Sequence, residues 1–190
     1  MALQEKLYTV EDVWQLEHQP ENEDKHYYLI DGELFWEMSP GYFHGRLTVL
    51  IGRYLSIYAE EHDLGEVVAE TSFYPSDDRH TLLRPDVAFI RKEKAPPADY
   101  EKFVPRMPDL AVEISSPSNT VAELRRKAVV YLANGTELVW LVLPEQVGVE
   151  VWRAGADGEP QSEFITRDGE LSGAEVLPGF ALELGRLFPR

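Results

Sequence analysis

The sequence predicts an α+β domain of α/β-like character, in which a mixed β-sheet is flanked by helices. Two long segments repeat apolar residues at helical spacing, short apolar runs suited to buried strands lie beside them, and a hairpin signal lies near the N-terminus. The 190 residues include 44% hydrophobic residues and no cysteine, which allows a sizeable core without disulfides. Because no repeat or linker divides the chain, residues 1–190 are expected to form a single domain.

Local signals place the elements of this domain in order. Thr9 and Asp12 resemble a capping box that begins a short helix. The pair Asp31-Gly32 is a strong hairpin signal, and Ser39-Pro40-Gly41 ends the hairpin before the long second helix. The expected elements are a helix over 9–16, strands over 27–30 and 33–37, a helix over 43–61, strands over 65–74 and 85–90, a loop over 95–108, a strand over 109–115, a helix over 120–134, and strands over 137–143, 147–153, 162–167 and 182–184.

The strand predicted over 109–115 carries an acid in the middle of an apolar run. Under two-residue alternation Glu113 shares one face with Ala111 and Ser115, both small. A lone glutamate in a strand is also compatible with a solvated face, or with an ion pair to a nearby arginine. A third possibility is that Glu113 forms part of a metal site together with a second acid and a lysine.

A second acid precedes another apolar strand. Asp86 follows Arg84-Pro85, and by itself it is compatible with a turn or a sheet edge. If its strand neighbours that of Glu113, the two carboxylates repel each other unless a cation or a proton lies between them. Mg²⁺ suits such a pair because it binds one or two carboxylates, keeps several waters and binds phosphate. The backbone carbonyl of Ile114 is a further candidate ligand.

The helix predicted over 120–134 supplies a lysine. Lys127 lies just outside its apolar arc, beside Tyr131. Such a lysine is often solvent-facing, but it can also lay its stem along the buried face and extend its ammonium group towards the sheet. There the ammonium group would orient an attacking water or neutralise charge on a phosphate.

The net charge of −16 opposes a general nucleic-acid binder, because phosphate recognition normally requires a basic surface. The charge is uneven, however. Residues 84–127 contain nine Lys/Arg against seven Asp/Glu, whereas the rest of the chain contains nine against 27. Chance fluctuation on a solvated surface explains this difference as well as a binding groove does. If a groove is present, Arg84, Arg125 and Arg126 are its candidate nucleic-acid contacts.

Seven motifs follow, in order, the pattern of a known family. They are YLIDGEL at 28–34, SP at 39–40 with HG at 44–45, RPDVAF at 84–89, PDLAVEISSPS at 108–118, Lys127 with YLANG at 131–135, VWLVLP at 139–144, and VLPGF at 176–180. Over about residues 8–188 the chain resembles the Uma2 family of restriction endonucleases, formerly a domain of unknown function.

This resemblance implies a restriction-endonuclease-like core of the PD-(D/E)XK class, here with an N-terminal β-hairpin extension. It also implies Mg²⁺ or Mn²⁺ held by acids, with Asp86 as the aspartate of the PD motif and Glu113 as the second acid. The lysine of the wider class most often lies where this chain has Ser115, a supporting position here. In some members it lies on the following helix, and Lys127 is the matching residue.

The chain departs from the family pattern at two positions. Tyr28 stands where members commonly carry a glutamate, and Leu143 stands where many carry an aspartate. Glu33, Glu37 or Glu70 is a candidate to replace the early acid, and otherwise the site is weakened. His44 is a candidate to contact a phosphate or a metal-site water, although a local hydrogen bond at the start of its helix explains it equally well.

The resemblance implies a metal-dependent endonuclease that hydrolyses phosphodiester bonds in nucleic acid, with DNA favoured. The alternative is a weakened nuclease fold that acts as a binding or regulatory module. A glycosidase-like carboxylate pair is a third, less economical possibility. A homodimer is expected by fold analogy. The sequence has neither a signal-peptide pattern nor a long apolar segment, so we expect a cytoplasmic protein without a membrane partner.

Overall fold

The computed structural model describes residues 6–22, 24–38, 41–117 and 119–188. Ser39, Pro40 and Ser118, which belong to the sequence motifs, lie outside these ranges. None of the helices within them is long and apolar enough to cross a membrane. The helices and strands are α1 (Val10–Glu17), β1 (Lys25–Ile30), β2 (Glu33–Met38), α2 (Tyr42–Glu61), β3 (Gly65–Ala69), β4 (Val87–Arg91), β5 (Leu110–Ile114), α3 (Val121–Ala133), β6 (Leu138–Leu143), β7 (Gly148–Ala154), β8 (Pro160–Thr166), β9 (Glu170–Ser172) and β10 (Ala181–Glu183).

The main sheet has six strands in the order β3-β4-β5-β6-β7-β8. Strands β5 and β6 pair in parallel, and the other neighbours pair antiparallel, so the sheet is mixed. A parallel pair needs a crossover connection, which α3 supplies between β5 and β6. The predicted α+β class with a mixed sheet flanked by helices is therefore confirmed, as is the N-terminal hairpin of β1 and β2.

The two faces of the sheet bury different helices. The face that carries Phe89 and Val112 packs against the apolar side of α2, including Leu47. The opposite face packs against α3, including Leu124, and against the hairpin, including Tyr28. Since side chains alternate along each strand, Glu113 points to the side of the sheet that α3 and the hairpin cover.

The predicted capping box at Thr9 and the predicted hairpin turn are both present, and Thr120 forms a second capping box at the start of α3. In both capping boxes, Thr9 with Asp12 and Thr120 with Glu123, the side chains satisfy the free N–H groups of the first helical turn. Asp31 and Gly32 adopt φ angles of 54° and 79°, as a tight hairpin turn between twisted strands requires.

The strand predicted over 65–74 is shorter than expected. Strand β3 ends at Ala69, because Glu70 adopts a φ of 52° and turns the chain out of the extended conformation. Phe73 then forms only isolated bridges, with Leu83 and Val104. The short strand β9 was not predicted, since three residues are too few for an alternation pattern to be recognised.

Candidate active site

The sheet register brings the two predicted acids together. Strands β4 and β5 are antiparallel with Val87 opposite Val112, so the next position places Asp86 opposite Glu113. The backbone N–H of Ile114 donates a 2.5 Å hydrogen bond to Oδ2 of Asp86. Asp86 therefore lies at the end of the sheet where β4 begins and β5 ends.

Glu113 is buried between groups from α3. Its carboxylate accepts a 2.8 Å hydrogen bond from the hydroxyl of Tyr131, and the Nζ atom of Lys127 lies 3.2 Å from its other oxygen. Burial raises the pKa of Glu113 to about 8, although the Lys127 ammonium group and the Tyr131 hydrogen bond act in the opposite direction. Such a carboxyl group holds a proton more tightly than an ordinary glutamate does.

Lys127 is 1% exposed, so its ammonium group has been removed from water. Its Nζ atom lies 2.9 Å from Oε1 of Glu37, on strand β2, and 4.4 Å from the ring centroid of Tyr28, on strand β1. Burial alone would lower the pKa of Lys127, but the carboxylates of Glu113 and Glu37 raise it above its usual range. Lys127 is thus a buried cation held by acids from the sheet and the hairpin.

A histidine from α2 completes the surroundings of Asp86. Nε2 of His44 lies 3.1 Å from Oδ1 of Asp86, and Nδ1 of the same ring lies 3.4 Å from the hydroxyl of Thr48. Burial lowers the pKa of His44, but the hydrogen bond and the charge of Asp86 outweigh burial and raise it. The imidazole is therefore biased towards its protonated form beside this carboxylate.

Glu70 lies at the end of β3, next to Asp86 in the sheet, where its N–H approaches the Asp86 carbonyl oxygen at 3.4 Å. Glu70 is exposed as a whole residue, but partial desolvation of its carboxylate, together with the charge of Asp86, raises the pKa of Glu70. Three acids thus follow one another across the ends of three adjacent strands. They line one pocket, whose walls are formed by His26, Tyr27, Tyr28, Glu37, Met38, His44, Glu70, Arg84, Asp86, Glu113, Ile114, Ser116, Asn119 and Lys127.

Two supporting residues predicted from the sequence do not line this pocket. Glu33 lies on the exposed part of the hairpin, with its side chain 63% exposed and 3.6 Å from Arg126. Ser115 lies beyond the end of β5, where its N–H donates to the carbonyl of Val142. Of the candidate replacements for the early acid, Glu37 and Glu70 line the pocket and Glu33 does not.

The predicted nucleic-acid contacts are paired with acids. Arg84 lines the pocket, but one of its nitrogens donates to both carboxylate oxygens of Glu17 at 2.7 Å. Arg125 forms an ion pair with the largely buried Glu150. A contact between these arginines and nucleic acid therefore stays a prediction, and it requires an exchange of partners.

Sequence reasoning did not identify Tyr131 or Glu17 as site-related residues. Tyr131 lies one helical turn after Lys127, so its position beside the lysine was predictable. Because it belongs to the apolar face of the helix, the sequence did not indicate a role for its hydroxyl. Glu17 lies 67 residues from Arg84, and no local signal links the two.

The chemistry of these side chains fits a divalent cation. Carboxylate oxygens from adjacent strands, with the Ile114 backbone beside them, are the ligand type that Mg²⁺ and Mn²⁺ prefer. As the side chains of the described residues stand, no group of three His, Asp or Glu residues is arranged to hold a metal ion. Lys127 contacts Glu113 and His44 contacts Asp86, so a cation at these carboxylates would require both contacts to loosen.

Comparisons with known proteins agree with this architecture. A structure described as "a putative nuclease belonging to DUF820 from Anabaena variabilis ATCC 29413" superimposes with a TM-score of 0.78 at 17% sequence identity, covering 95% of this chain and 97% of that one. At this identity the likeness shows the fold alone. Among curated proteins, no sequence matches this chain significantly. The family profile of Uma2, described as "Putative restriction endonuclease", matches residues 10–185. Its match over most of the sequence means that the chain belongs to the Uma2 family.

Proposed function

We propose that this protein is a metal-dependent endonuclease that hydrolyses phosphodiester bonds in nucleic acid, with DNA as the favoured substrate. The family and the fold support a nuclease. The observation that carries the proposal is the juxtaposition of Asp86 and Glu113 at the ends of neighbouring strands, with the buried Lys127 beside Glu113.

In this proposal Asp86 and Glu113 hold Mg²⁺ or Mn²⁺, the Ile114 carbonyl is a further ligand, and Glu70 contributes negative charge. When bound, the cation acidifies a water and stabilises negative charge on the phosphate. The protein's own contribution is to fix the two carboxylates on rigid strands in a pocket that excludes most water, which strengthens their electrostatic interactions.

In this proposal Lys127, beside Glu113, interacts with the substrate and not with the cation. Its ammonium group orients the attacking water and neutralises charge as the water oxygen bonds to phosphorus and the bond to the departing sugar oxygen breaks. The water's proton leaves to solvent, and the departing oxygen takes up one proton. His44, whose pKa is raised by Asp86, is the candidate donor of that proton or a contact for a non-bridging phosphate oxygen.

Several finer expectations belong to the same proposal. DNA is favoured over RNA on the family description alone. Arg84, Arg125 and Arg126 are expected to exchange their acidic partners for phosphates. A homodimer would allow both strands of a duplex to be cut, and a cytoplasmic location would give access to DNA.

The test is cleavage of supercoiled plasmid and of single-stranded DNA at low salt with Mg²⁺ or Mn²⁺. Asp86→Asn and Glu113→Gln keep the shapes of the side chains, and an amide oxygen can still accept the hydrogen bonds from Ile114 and Tyr131. We expect both variants to fold and to lose metal-dependent cleavage. Asp168→Asn removes a carboxylate that is 91% exposed and does not line the pocket, and it should cleave like the unmodified protein.

Cleavage that survives in both site variants would reject the assignment of Asp86 and Glu113. Full absence of cleavage by the folded, unmodified protein with every metal would favour the second candidate function, a binding or regulatory module. Two observations support that candidate: the net charge of −16, and the pairing of pocket cations with protein acids.

A further inference from the structure

We propose that Glu37 is a positioning residue: it holds the ammonium group of Lys127 in place when the Glu113 carboxylate turns to a divalent cation. This inference rests on the proposed function, because it assigns Glu113 to the cation and Lys127 to the substrate. It adds the N-terminal hairpin to the site, since Glu37 comes from β2 and not from the sheet.

The geometry of Lys127 carries this inference. Its ammonium group contacts two acids at once, Glu37 at 2.9 Å and Glu113 at 3.2 Å, and it lies over the ring of Tyr28. Of the two acids, Glu37 is the nearer, and its side chain is 30% exposed whereas that of Glu113 is 4% exposed. Glu37 can therefore stay ionised beside the lysine, because its carboxylate keeps part of its contact with water.

The energetics of burial explain why a second acid is needed. A lysine that is 1% exposed is costly to keep charged unless a carboxylate compensates it. When the oxygens of Glu113 bind a cation, they no longer neutralise Lys127, and the cation itself repels the ammonium group. Without Glu37 the lysine would have to stay on Glu113 and compete with the cation, or lose its charge, or leave the pocket.

The hairpin is built to hold Glu37 at this point. Glu37 pairs with His26 in the β1–β2 register, and both residues line the pocket. Two positions earlier on the same face, Phe35 stacks on Tyr28 with ring centroids 5.0 Å apart. The tight turn and this aromatic pair hold β2 against β1, so the paired hairpin positions the carboxylate of Glu37 beside Lys127.

The experiment is a double-mutant cycle between Glu37→Gln and Lys127→Met, with two readouts. Mn²⁺ affinity is measured by titration calorimetry, and plasmid cleavage is measured as kcat and KM. We expect Glu37→Gln alone to weaken Mn²⁺ binding and to lower kcat, each about tenfold, with KM for DNA unchanged. In the Lys127→Met background, Glu37→Gln should change Mn²⁺ affinity no further.

Matched variants separate this role from a general charge effect. Glu163 forms a 2.9 Å ion pair with Arg153 across β7 and β8, so Glu163→Gln removes an exposed ion pair outside the pocket and should alter neither readout. Glu37→Asp keeps the negative charge and should recover most of the Mn²⁺ affinity that Glu37→Gln loses. A role of Glu37 in packing alone would give no such recovery. If Lys127→Met does not fold, Lys127→Gln takes its place in the cycle.

Three outcomes would overturn the inference. An equal loss of Mn²⁺ affinity in both backgrounds would mean that Glu37 acts through its own charge, and an unchanged Glu37→Gln variant would mean that it plays no part. Both leave the proposed function standing if Glu113→Gln still abolishes cleavage. A wild-type protein that binds Mn²⁺ without cleaving DNA rejects the proposed function, and the affinity cycle still decides the role of Glu37. A wild-type protein that binds no Mn²⁺ rejects both.

Discussion

The Nζ atom of Lys127 lies 3.2 Å from Oε2 of Glu113, and the two side chains are 2% and 4% exposed. A charge pair removed from water to this degree is stabilising only relative to either charge left alone. A hydrophobic pair would fill the same space at lower cost. The pair is therefore better explained by chemistry at this position than by the stability of the fold.

Removal of the lysine should destabilise the protein. Lys127→Met leaves the buried carboxylate of Glu113 with Tyr131 as its remaining partner, and we expect a loss of about 3 kcal/mol in the free energy of unfolding. Urea denaturation at pH 9 without metal measures this loss, because Glu113 of the unmodified protein is then mostly ionised. Arg153→Met breaks an exposed pair with Glu163 and should cost less than about 1 kcal/mol. Similar losses in the two variants would contradict the prediction.

The position of Lys127 was predictable because two periodicities agree. Alternation in β5 places Glu113 on the face that α3 covers, and helical spacing in α3 places Lys127 at the edge of the arc that packs there. Local signals also predicted the hairpin turn at Asp31-Gly32 and the capping box of Thr9 and Asp12. These features depend on neighbours within about one turn or one strand of sequence.

The partners of the site acids and cations were not predictable in the same way. The contact of His44 with Asp86 depends on how α2 packs across the sheet, and the contact of Arg84 with Glu17 depends on where α1 docks. No periodicity in the sequence encodes either distance. The end of β3 was missed for a related reason, since the positive φ of Glu70 occurs in a residue with little preference for it.

Metal binding should strengthen as the pH rises. Burial raises the pKa of Glu113 from 4.5 to about 8, so below pH 8 a proton competes with the cation for this carboxylate. Mn²⁺ affinity should increase between pH 6 and pH 9, with protons released on binding. Calorimetry in two buffers of different ionisation enthalpy measures both effects. An affinity that is constant over this range would argue against Glu113 as a ligand.

The same pKa determines how the metal-free protein responds to pH. Because the folded-state pKa of Glu113 lies above its unfolded value, bound proton stabilises the fold most fully below about pH 4.5. This contribution is lost as the pH rises through about 8. In EDTA, Glu113→Gln should therefore reduce the loss of thermal stability that the unmodified protein shows between pH 6 and pH 9. A parallel decline in both proteins would show that other groups control it.

Tyr131 should affect the competition between a proton and the cation for the carboxylate of Glu113. Its hydroxyl donates to Glu113 at 2.8 Å and favours the ionised carboxylate, so Tyr131→Phe should raise the pKa of Glu113 further. We expect the pH midpoint of Mn²⁺ binding to move upward and the free energy of unfolding to fall by about 1.5 kcal/mol. Tyr58→Phe removes a hydroxyl bonded to the Pro178 carbonyl, outside the pocket, and should leave the midpoint unchanged. If the pH midpoint of Mn²⁺ binding is also unchanged in Tyr131→Phe, Tyr131 has no influence on the ionisation of the metal-binding carboxylate.

Substitution of Arg84 tests whether this cation serves the fold alone or also contacts the substrate. Its guanidinium group donates to Ser72 at 2.8 Å and to both oxygens of Glu17, and it lies 2.7 Å from Nδ1 of His26. A lysine cannot reproduce this forked arrangement, so Arg84→Lys should lower the free energy of unfolding by about 2 kcal/mol.

The KM for DNA then tests the predicted nucleic-acid contact of Arg84. If Arg84 exchanges Glu17 for a phosphate, Arg84→Lys should also raise KM for DNA and flatten its dependence on salt, because one ionic contact is weakened. Glu17→Gln frees the arginine without removing it, and should lower KM while still destabilising α1. A raised KM in Arg84→Lys together with a lowered KM in Glu17→Gln would establish the exchange. Unchanged KM values in both, with the expected loss of stability, would assign Arg84 to the fold and leave the substrate to other cations.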